Sequence, residues 1–203
     1  MTEEGEEDHW KDWYTVVAEG DTALRQGDIF RDLPVFWLSS ENQMPPENPA
    51  EHDPVYEARQ SDWIVMTSSC DLAQRRCHQV LLAEVFPANA ENLKADSEKV
   101  HKERVEVMRR GYDPRKFLLA ECPAVDPRWP RSFAAFWNQV SMPLEYLEQA
   151  CTEDRLRLAH PFREKFGNWV GKNFSEVGPE DESQIPVATD RLYSTHILRN
   201  VEE

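Results

Sequence analysis

The sequence predicts an α+β protein in which short strands are covered by two helices of different character. Two apolar runs, Trp63–Thr67 and Gln79–Phe86, are rich in valine, isoleucine and leucine and are typical of buried strands. Residues 89–110 are mostly polar helix formers, and residues 162–174 carry aromatic side chains at helical spacing. These patterns favour a sheet with helices packed against it.

Composition divides the 203 residues into three segments. Acidic residues and aromatics dominate the start, apolar strands the middle and helical patterns the end, while prolines mark a loop and Gly111 a helix end. We therefore expect an acidic and aromatic N-terminal segment, residues 1–20. A β-rich core, residues 21–140, would follow, with an inserted loop at 40–60 and a polar helix at 89–110. The C-terminal part, residues 141–203, would be helical, and a last strand, Arg191–Leu198, could complete it.

Further short strands are predicted on both sides of the two central ones. Gly27 and Asp28 form a turn ahead of an apolar pair, and Val35–Leu38 supplies a strand soon afterwards. The strand pattern resumes after the polar helix at Phe117–Ala120 and Ser132–Val140.

Two helices are predicted in the C-terminal part. Ser141 is placed to cap a helix over 143–150, Pro161 suits the first turn of the next helix, and Gly178 would end it. The second helix carries an aromatic stripe that we expect to pack on the sheet, with a partner-docking face as the alternative. The stripe comprises Phe162, Phe166, Trp169, Val170 and Phe174.

Charge limits the classes of partner. The chain has 38 acidic residues against 23 lysines and arginines, and its net charge of -15 opposes nonspecific binding to nucleic acid and anionic lipid. Arg75-Arg76 or the arginines within 104–110 could still form local basic patches, although such clusters are usually solvated surface.

Cysteine usage and the chain's start favour a cytoplasmic protein. Cys70, Cys77, Cys122 and Cys151 are irregularly spaced, which suits reduced thiols better than a disulfide framework. The acidic start does not resemble a signal peptide, and no apolar run reaches the roughly 20 residues that span a bilayer.

The end of the strand at Trp63–Thr67 is the most informative stretch, because its apolar run gives way to two serines, a cysteine and an aspartate. Strand ends hold side chains firmly and leave them open to solvent. Cys70 could therefore be the nucleophile of a thiol-dependent hydrolase, with Asp71 beside it and His78 or His160 as base. The alternative is a packed, unreactive cysteine.

A zinc site is a second interpretation of this stretch. Zinc prefers thiolate and imidazole ligands in a tetrahedron, and Cys70, Cys77 and His78 supply three such groups. Their spacing matches no standard zinc knuckle, so a protein without a cofactor remains the first expectation.

Basic residues ahead of the aromatic helix suggest an anion-binding site. Arg157, His160 and Arg163 lie close together near the helix start, where backbone N–H groups favour negative charge. A small phosphorylated or carboxylated ligand would suit such a site. Surface ion pairs, such as Arg163 with Glu164, are the alternative.

The N-terminal aromatic residues are candidates for binding a protein partner. Trp10, Trp13 and Tyr14 follow the acidic start, and aromatic side chains supply contact area while acids supply orientation. The alternative is ordinary packing of this group against the sheet.

Three segments together resemble a family of uncharacterised bacterial proteins. They are Gln26–Ile29, the strand end Val65–Leu72 with its Ser-x-x-Cys-Asp-Leu-like motif, and Arg157–Glu164, which leads into a late helix of the Pro-Phe-Arg-Glu kind. The resemblance covers most of the chain and implies that the segments belong to one fold. It assigns no activity.

The order of the strands is also similar to the small barrels of MazF-like and PemK-like toxins, which cut RNA with an arginine and a threonine or serine. This resemblance implies a partly open small β-barrel and would give the hydroxyl role to Thr67 or Ser68. The toxins' arginine follows a Gly-Asp motif, which is Gly27-Asp28 here. Arg31 is the arginine that follows nearest, but its position does not match the toxins' pattern. The acidic balance also opposes an active ribonuclease, which leaves a likeness of fold.

Exclusion and resemblance together predict a non-catalytic accessory or regulatory module that recognises another protein in a bacterial stress-response or phage-defence system. The partner is expected to be encoded nearby, and a homodimer is an open alternative. The first alternative function is a thiol- or zinc-dependent hydrolase centred on Cys70 and Asp71. The second is a relative of the MazF-like ribonucleases.

Overall fold

The structure is a computed structural model that describes residues 10–38, 56–151 and 155–175. Contacts between residues divide the chain into two units, and the first ends at Asn173. Several predictions lie outside the described residues. They concern the acidic start, most of the loop 40–60, the helix end at Gly178 and the last strand Arg191–Leu198.

Seven strands and five helices are described. In chain order they are α1 (Trp10–Trp13), β1 (Tyr14–Val17), β2 (Asp28–Leu38), β3 (Tyr56–Val65), α2 (Ser69–Ala73), β4 (Gln79–Pro87), α3 (Glu98–Arg109), β5 (Lys116–Leu119), β6 (Ser132–Pro143), α4 (Leu144–Gln149), β7 (Arg155–Leu158) and α5 (Phe162–Ser175).

The strands form one antiparallel sheet in the order β1-β7-β2-β3-β4-β6-β5. The α+β class is therefore confirmed. Among the described strands the sheet is open, with β1 and β5 at its edges, so the barrel implied by the toxin resemblance is not confirmed. Strands from all three predicted segments lie in this sheet.

Alternating side chains bury both faces of the sheet. One face includes Ile29, Ile64, Ala83, Phe136 and Leu156 and packs against Phe166 of α5. The other face holds a cluster with α2 and α4, which includes Phe30, Trp63, Val65, Leu72, Leu82 and Leu147. A third cluster lies under α3 and includes Leu93, Met108, Phe133 and Ala135.

Four of the five stripe residues on α5 pack against the sheet, as predicted, whereas Phe174 is exposed. The ring of Phe166 lies 5.2 Å from that of Phe117 and 5.9 Å from that of Phe136, measured between centroids. Trp169 adds a hydrogen bond, because its indole N–H donates to the carbonyl of Pro114 at 2.7 Å.

The central strand predictions are confirmed, since β3 and β4 pair directly. The polar helix begins later than predicted, at Glu98, because the Ser97 side chain accepts the Val100 N–H and caps it there. Residues 89–94 form turns instead. Residues 56–60 belong to β3, so the predicted loop 40–60 extends too far.

The predicted cap of α4 is wrong. Ser141 lies in β6, and Pro143 takes the N-cap position without a side-chain hydrogen bond. Strand β7 was not predicted, because four residues are too few to show a periodic pattern.

Gly111 follows α3 at a position that only glycine suits. Its φ is +77°, and a methyl group on its Cα would lie 2.5 Å from Cη2 of Trp169. Gly171 offers a matched comparison on α5, since a methyl group there would have no heavy atom within 4 Å.

We expect Gly111→Ala to lower the free energy of unfolding by roughly 2 kcal/mol, because the left-handed backbone and the clash both oppose a side chain. Gly171→Ala should raise it by roughly 0.5–1 kcal/mol, through helix propensity. Urea unfolding followed by circular dichroism measures both. Equal effects of the two substitutions would contradict the packing of Trp169 on Gly111.

A buried carboxylate separates the second and third core clusters. Glu84 of β4 stands opposite Trp63 and Ala135 in the neighbouring strands, and its side chain is 1 % exposed. Ser61 donates a hydrogen bond to it at 2.8 Å, and Arg59 lies within 2.8 Å. The side-chain amide of Asn138 also donates to it, where β6 slips register. Burial raises the pKa of Glu84 above its ordinary range, and the Ser61 and Arg59 contacts oppose that rise.

The raised pKa of Glu84 gives a pH dependence with a defined sign. The folded state binds this proton more tightly than the unfolded state, so the stability from Glu84 is complete below the unfolded pKa of about 4.3 and is lost as the pH rises through the folded pKa. We expect the parent to lose stability relative to Glu84→Gln as the pH rises across that interval. Urea unfolding of both proteins over a pH series checks this, and a difference that grows in favour of the parent would contradict it.

Candidate functional site

The segments of the bacterial resemblance meet at one corner of the sheet. The Gln26 backbone N–H donates to the Ser69 hydroxyl at 3.1 Å, and its side-chain amide donates to the Met66 carbonyl at 2.7 Å. On the other side, the Leu158 N–H donates to the Gly27 carbonyl at 3.0 Å. The Gln26-Gly27 turn therefore ties the end of β3 to β7.

Glycine is required in this turn. Gly27 has a φ of +85°, and a methyl group on its Cα would lie 3.0 Å from Cβ of Leu158. The close approach lets β7 pair with β2 immediately after the turn.

Asp28, the first residue of β2, is fully buried between two arginines of β7. Its carboxylate accepts hydrogen bonds from Nε of Arg155 at 3.1 Å and from Nε and Nη2 of Arg157 at 2.5 and 2.9 Å. The Arg25 backbone N–H also donates to it, at 3.1 Å. The hydrogen bond with Asp28 raises the pKa of Arg157, although burial opposes the rise.

The same arginines hold the loop before β2. Arg155 donates to the carbonyls of Asp21 and Ala23 at 2.5 and 3.2 Å, and Arg157 donates to that of Ala23 at 2.6 Å. The Ala23 N–H donates to the Asp21 carboxylate and lowers its pKa, and nearby arginines lower it further. The side chains of Arg155 and Arg157 thus hold loop 21–25 in place through hydrogen bonds to its carbonyl groups.

This fixed loop forms one wall of a cleft of about 710 Å³. The other walls are α2, α4 and the first turn of α5. The charged residues of its lining are Arg25, Arg75, Glu148 and Arg163, and Cys70 is the cysteine among the lining residues. We call this site the arginine cleft.

Charge in the arginine cleft is mainly positive. Arg75 lies 2.7 Å from the Glu148 carboxylate across the opening, and both belong to the lining. Arg163 also lies 3.0 Å from Glu164, which is not part of the lining. The lining thus contains three guanidinium groups and one carboxylate, and that carboxylate pairs with Arg75.

Arg75 is held in an uncommon backbone conformation. It follows α2 with a φ of +49°, and its N–H donates to the Leu72 carbonyl at 3.1 Å. A side chain in this left-handed region costs about 1 kcal/mol relative to glycine, and such strain often accompanies a functional position.

Cys70 and Asp71, the predicted catalytic pair, separate in role. Cys70 is exposed and lines the arginine cleft. Asp71 accepts a hydrogen bond from the Ser68 hydroxyl at 2.7 Å and, through its own N–H, donates to that oxygen at 3.2 Å, so it belongs to the cap of α2. His78 and His160 are both exposed, and neither lines the cleft. The catalytic interpretation stays a prediction.

The zinc interpretation gains no site from the geometry. Among the described ranges, no three histidine, cysteine, aspartate or glutamate side chains are grouped to hold a metal ion, so Cys70, Cys77 and His78 stay a prediction only. Cys122 and Cys151 are buried, and burial raises the pKa of both thiols.

The predicted anion-binding residues point to different partners. Arg157 is engaged by Asp28, and Nδ1 of His160 lies 3.0 Å from the Glu164 carboxylate. Of the three, Arg163 reaches the arginine cleft. The alternative of a surface ion pair describes Arg163 with Glu164, whereas Arg157 takes part in a buried one.

Trp13 and Tyr14 pack within the chain. The Trp13 ring stacks on Phe162 at 3.7 Å between centroids, and Tyr14 is buried with its hydroxyl donating to the Ala120 carbonyl at 2.7 Å. Burial also raises the pKa of Tyr14. These contacts agree with the packing alternative, and the Trp10 side chain lies outside the described part.

The residues of the ribonuclease alternative each have a separate hydrogen-bond partner, and that alternative stays a prediction. The Thr67 hydroxyl accepts the Leu81 N–H at 2.8 Å, and Ser68 caps α2. Arg31 donates to the Asp126 carbonyl at 3.1 Å, and it lines a different cleft from Ser69 and Cys70.

Arg25 and Glu148 were missed as site residues, whereas Arg75 was named only as a candidate for a local basic patch. Arg25 stands directly before the Gln26-Gly27 turn and Arg75 two residues after the end of α2, so proximity to the two motifs was a usable signal. Glu148 lines the cleft because of where α4 packs, and no local sequence pattern predicts that packing.

The fold and the site together define an α+β protein with an arginine-lined cleft at the corner of an open antiparallel sheet. No family model, curated protein or solved structure matches the chain. Within the described ranges, no helix is long and apolar enough to cross a membrane.

We expect Asp28→Asn to lower the free energy of unfolding by about 3–5 kcal/mol, because it leaves two arginine charges buried without their carboxylate. The control is Glu121→Gln, which removes an exposed ion pair with Arg128 and should change stability by under about 1 kcal/mol. Urea unfolding measures both variants. A small effect of Asp28→Asn would mean that the network does not hold the corner together.

Proposed function

We propose that this protein is a non-catalytic recognition module of the bacterial cytoplasm and that the arginine cleft binds an acidic segment of a partner protein. The main support for this proposal is that Arg25, Arg75 and Arg163 line one cleft on a chain of net charge -15. A cluster of positive charge on so acidic a protein selects for a negatively charged partner region.

The geometry suits a peptide segment. The volume of about 710 Å³ lies in the range of ligand-binding clefts. Guanidinium groups bind carboxylates through paired hydrogen bonds, so arginines spaced around an opening can engage successive acidic side chains. Leu24, Leu72 and Leu144 supply apolar floor between them.

Recognition is supported over thiol catalysis by what surrounds Cys70. A cysteine nucleophile needs a base or a cation that favours its thiolate, and the described lining of the cleft contains no histidine. The exposure of Cys70 in this cleft keeps the thiol hydrolase as a second candidate.

The setting in a stress-response or phage-defence system is part of the same proposal. Its support is the resemblance of Gln26–Ile29, Val65–Leu72 and Arg157–Glu164, together with their meeting at this corner. A nearby gene product would be the first partner to examine for acidic segments.

We expect a fluorescein-labelled oligoglutamate peptide to bind the protein in low salt, with fluorescence anisotropy as the readout. Arg75→Gly and Arg163→Gln should each raise the dissociation constant about tenfold, because each removes a charge-assisted contact. Arg75→Gly also relieves the left-handed backbone, so a loss of stability cannot explain its effect. Arg128→Gln, which removes an exposed arginine outside the cleft lining, is the matched control and should leave binding unchanged.

Binding that is insensitive to both cleft substitutions would exclude the proposal. Cys70→Ser separates the two candidate functions. Recognition predicts that it binds the peptide as the parent does, whereas the hydrolase predicts loss of cellular function with Cys70→Ser and retention with the arginine variants.

A further inference from the structure

The densest run of acids in the sequence is its N-terminal segment. Residues 2–8 read Thr-Glu-Glu-Gly-Glu-Glu-Asp and contain no lysine or arginine. Negative charge is what the proposed function requires of a ligand for the arginine cleft. The chain therefore contains a candidate ligand for its own cleft.

The segment is attached next to the cleft. Trp13, at the end of α1, stacks on Phe162, and its carbonyl accepts the Ala159 N–H at 2.8 Å. Phe162 is the first residue of α5 and directly precedes Arg163, which lines the cleft. The helix that follows the acidic segment therefore ends against the residue that precedes Arg163.

The length of the segment is sufficient. Nine residues extend over up to about 30 Å, which exceeds the dimensions of a cleft of about 710 Å³. The acids of the C-terminal segment are less dense, with four among residues 176–182.

We propose that the acidic N-terminal segment, residues 2–8, occupies the arginine cleft of its own chain and that an acidic partner must displace it. This inference rests on the proposed function of the cleft. A tethered segment has an effective concentration near the millimolar range, so it competes with weak acidic ligands and admits those that bind tightly. The segment thereby sets a threshold for partner binding.

Cys70 provides a direct test of this occupancy. In the full chain with Glu6→Cys and Cys77→Ser, mild oxidation should form an intramolecular disulfide between position 6 and Cys70, identified by mass spectrometry of proteolytic peptides. Disulfide formation requires the two Cα atoms to come within about 7 Å. High salt, or Arg75→Gly combined with Arg163→Gln, should suppress it. Glu182→Cys in the C-terminal segment is the matched control and should form much less.

A second measurement tests competition. Neutralising the five acids, with Glu→Gln at 3, 4, 6 and 7 and Asp8→Asn, should tighten binding of labelled oligoglutamate about tenfold. The same number of neutralisations in the C-terminal segment, at Glu176, Glu180, Asp181, Glu182 and Asp190, should not.

The outcomes separate the two proposals. A disulfide from position 6 to Cys70 without peptide binding by either protein would support occupancy and overturn the proposed function. Peptide binding unchanged by neutralisation, together with no disulfide or one that joins two copies, would overturn occupancy in its own chain and leave the proposed function standing.

Discussion

The corner of the sheet depends on one buried ion network. Asp28 is fully buried, and a carboxylate in that position is tolerated only because Arg155 and Arg157 surround it. The two guanidinium groups then have donors to spare, and the carbonyls of loop 21–25 accept them. A single charge requirement thus sets the pairing of β7 with β2, the path of the loop and the wall of the cleft.

The sequence predicts those elements whose signal is local. Strands β3 and β4 and the stripe of α5 follow from apolar runs and helical spacing, and the structure confirms them. Strand β7 and helix α2 have four and five residues, too few to show a period. The pairing of Asp28 with arginines more than a hundred residues away has no local signal at all, although both lie in segments that the resemblance singled out.

Positive charge is locally concentrated at one corner of an acidic protein. The chain has a net charge of -15, yet five arginines, at positions 25, 75, 155, 157 and 163, lie at Asp28 or in the cleft lining. At low ionic strength the acidic surface repels negatively charged molecules in general, so the role proposed for the cleft requires a ligand whose negative charge lies on a narrow segment. This arrangement would select a ligand by how its negative charges are distributed rather than by its total charge.

The place of β7 between β1 and β2 has a consequence during protein synthesis. β1 is made first, but its described pairing partner is β7, which emerges 138 or more residues later by the numbering of Val17 and Arg155. At about 5–20 residues per second, a ribosome needs on the order of ten seconds to cover that distance. Throughout that interval Tyr14 and Val17, which are buried in the finished fold, lack their pairing strand, so both apolar side chains stay unprotected on the nascent chain.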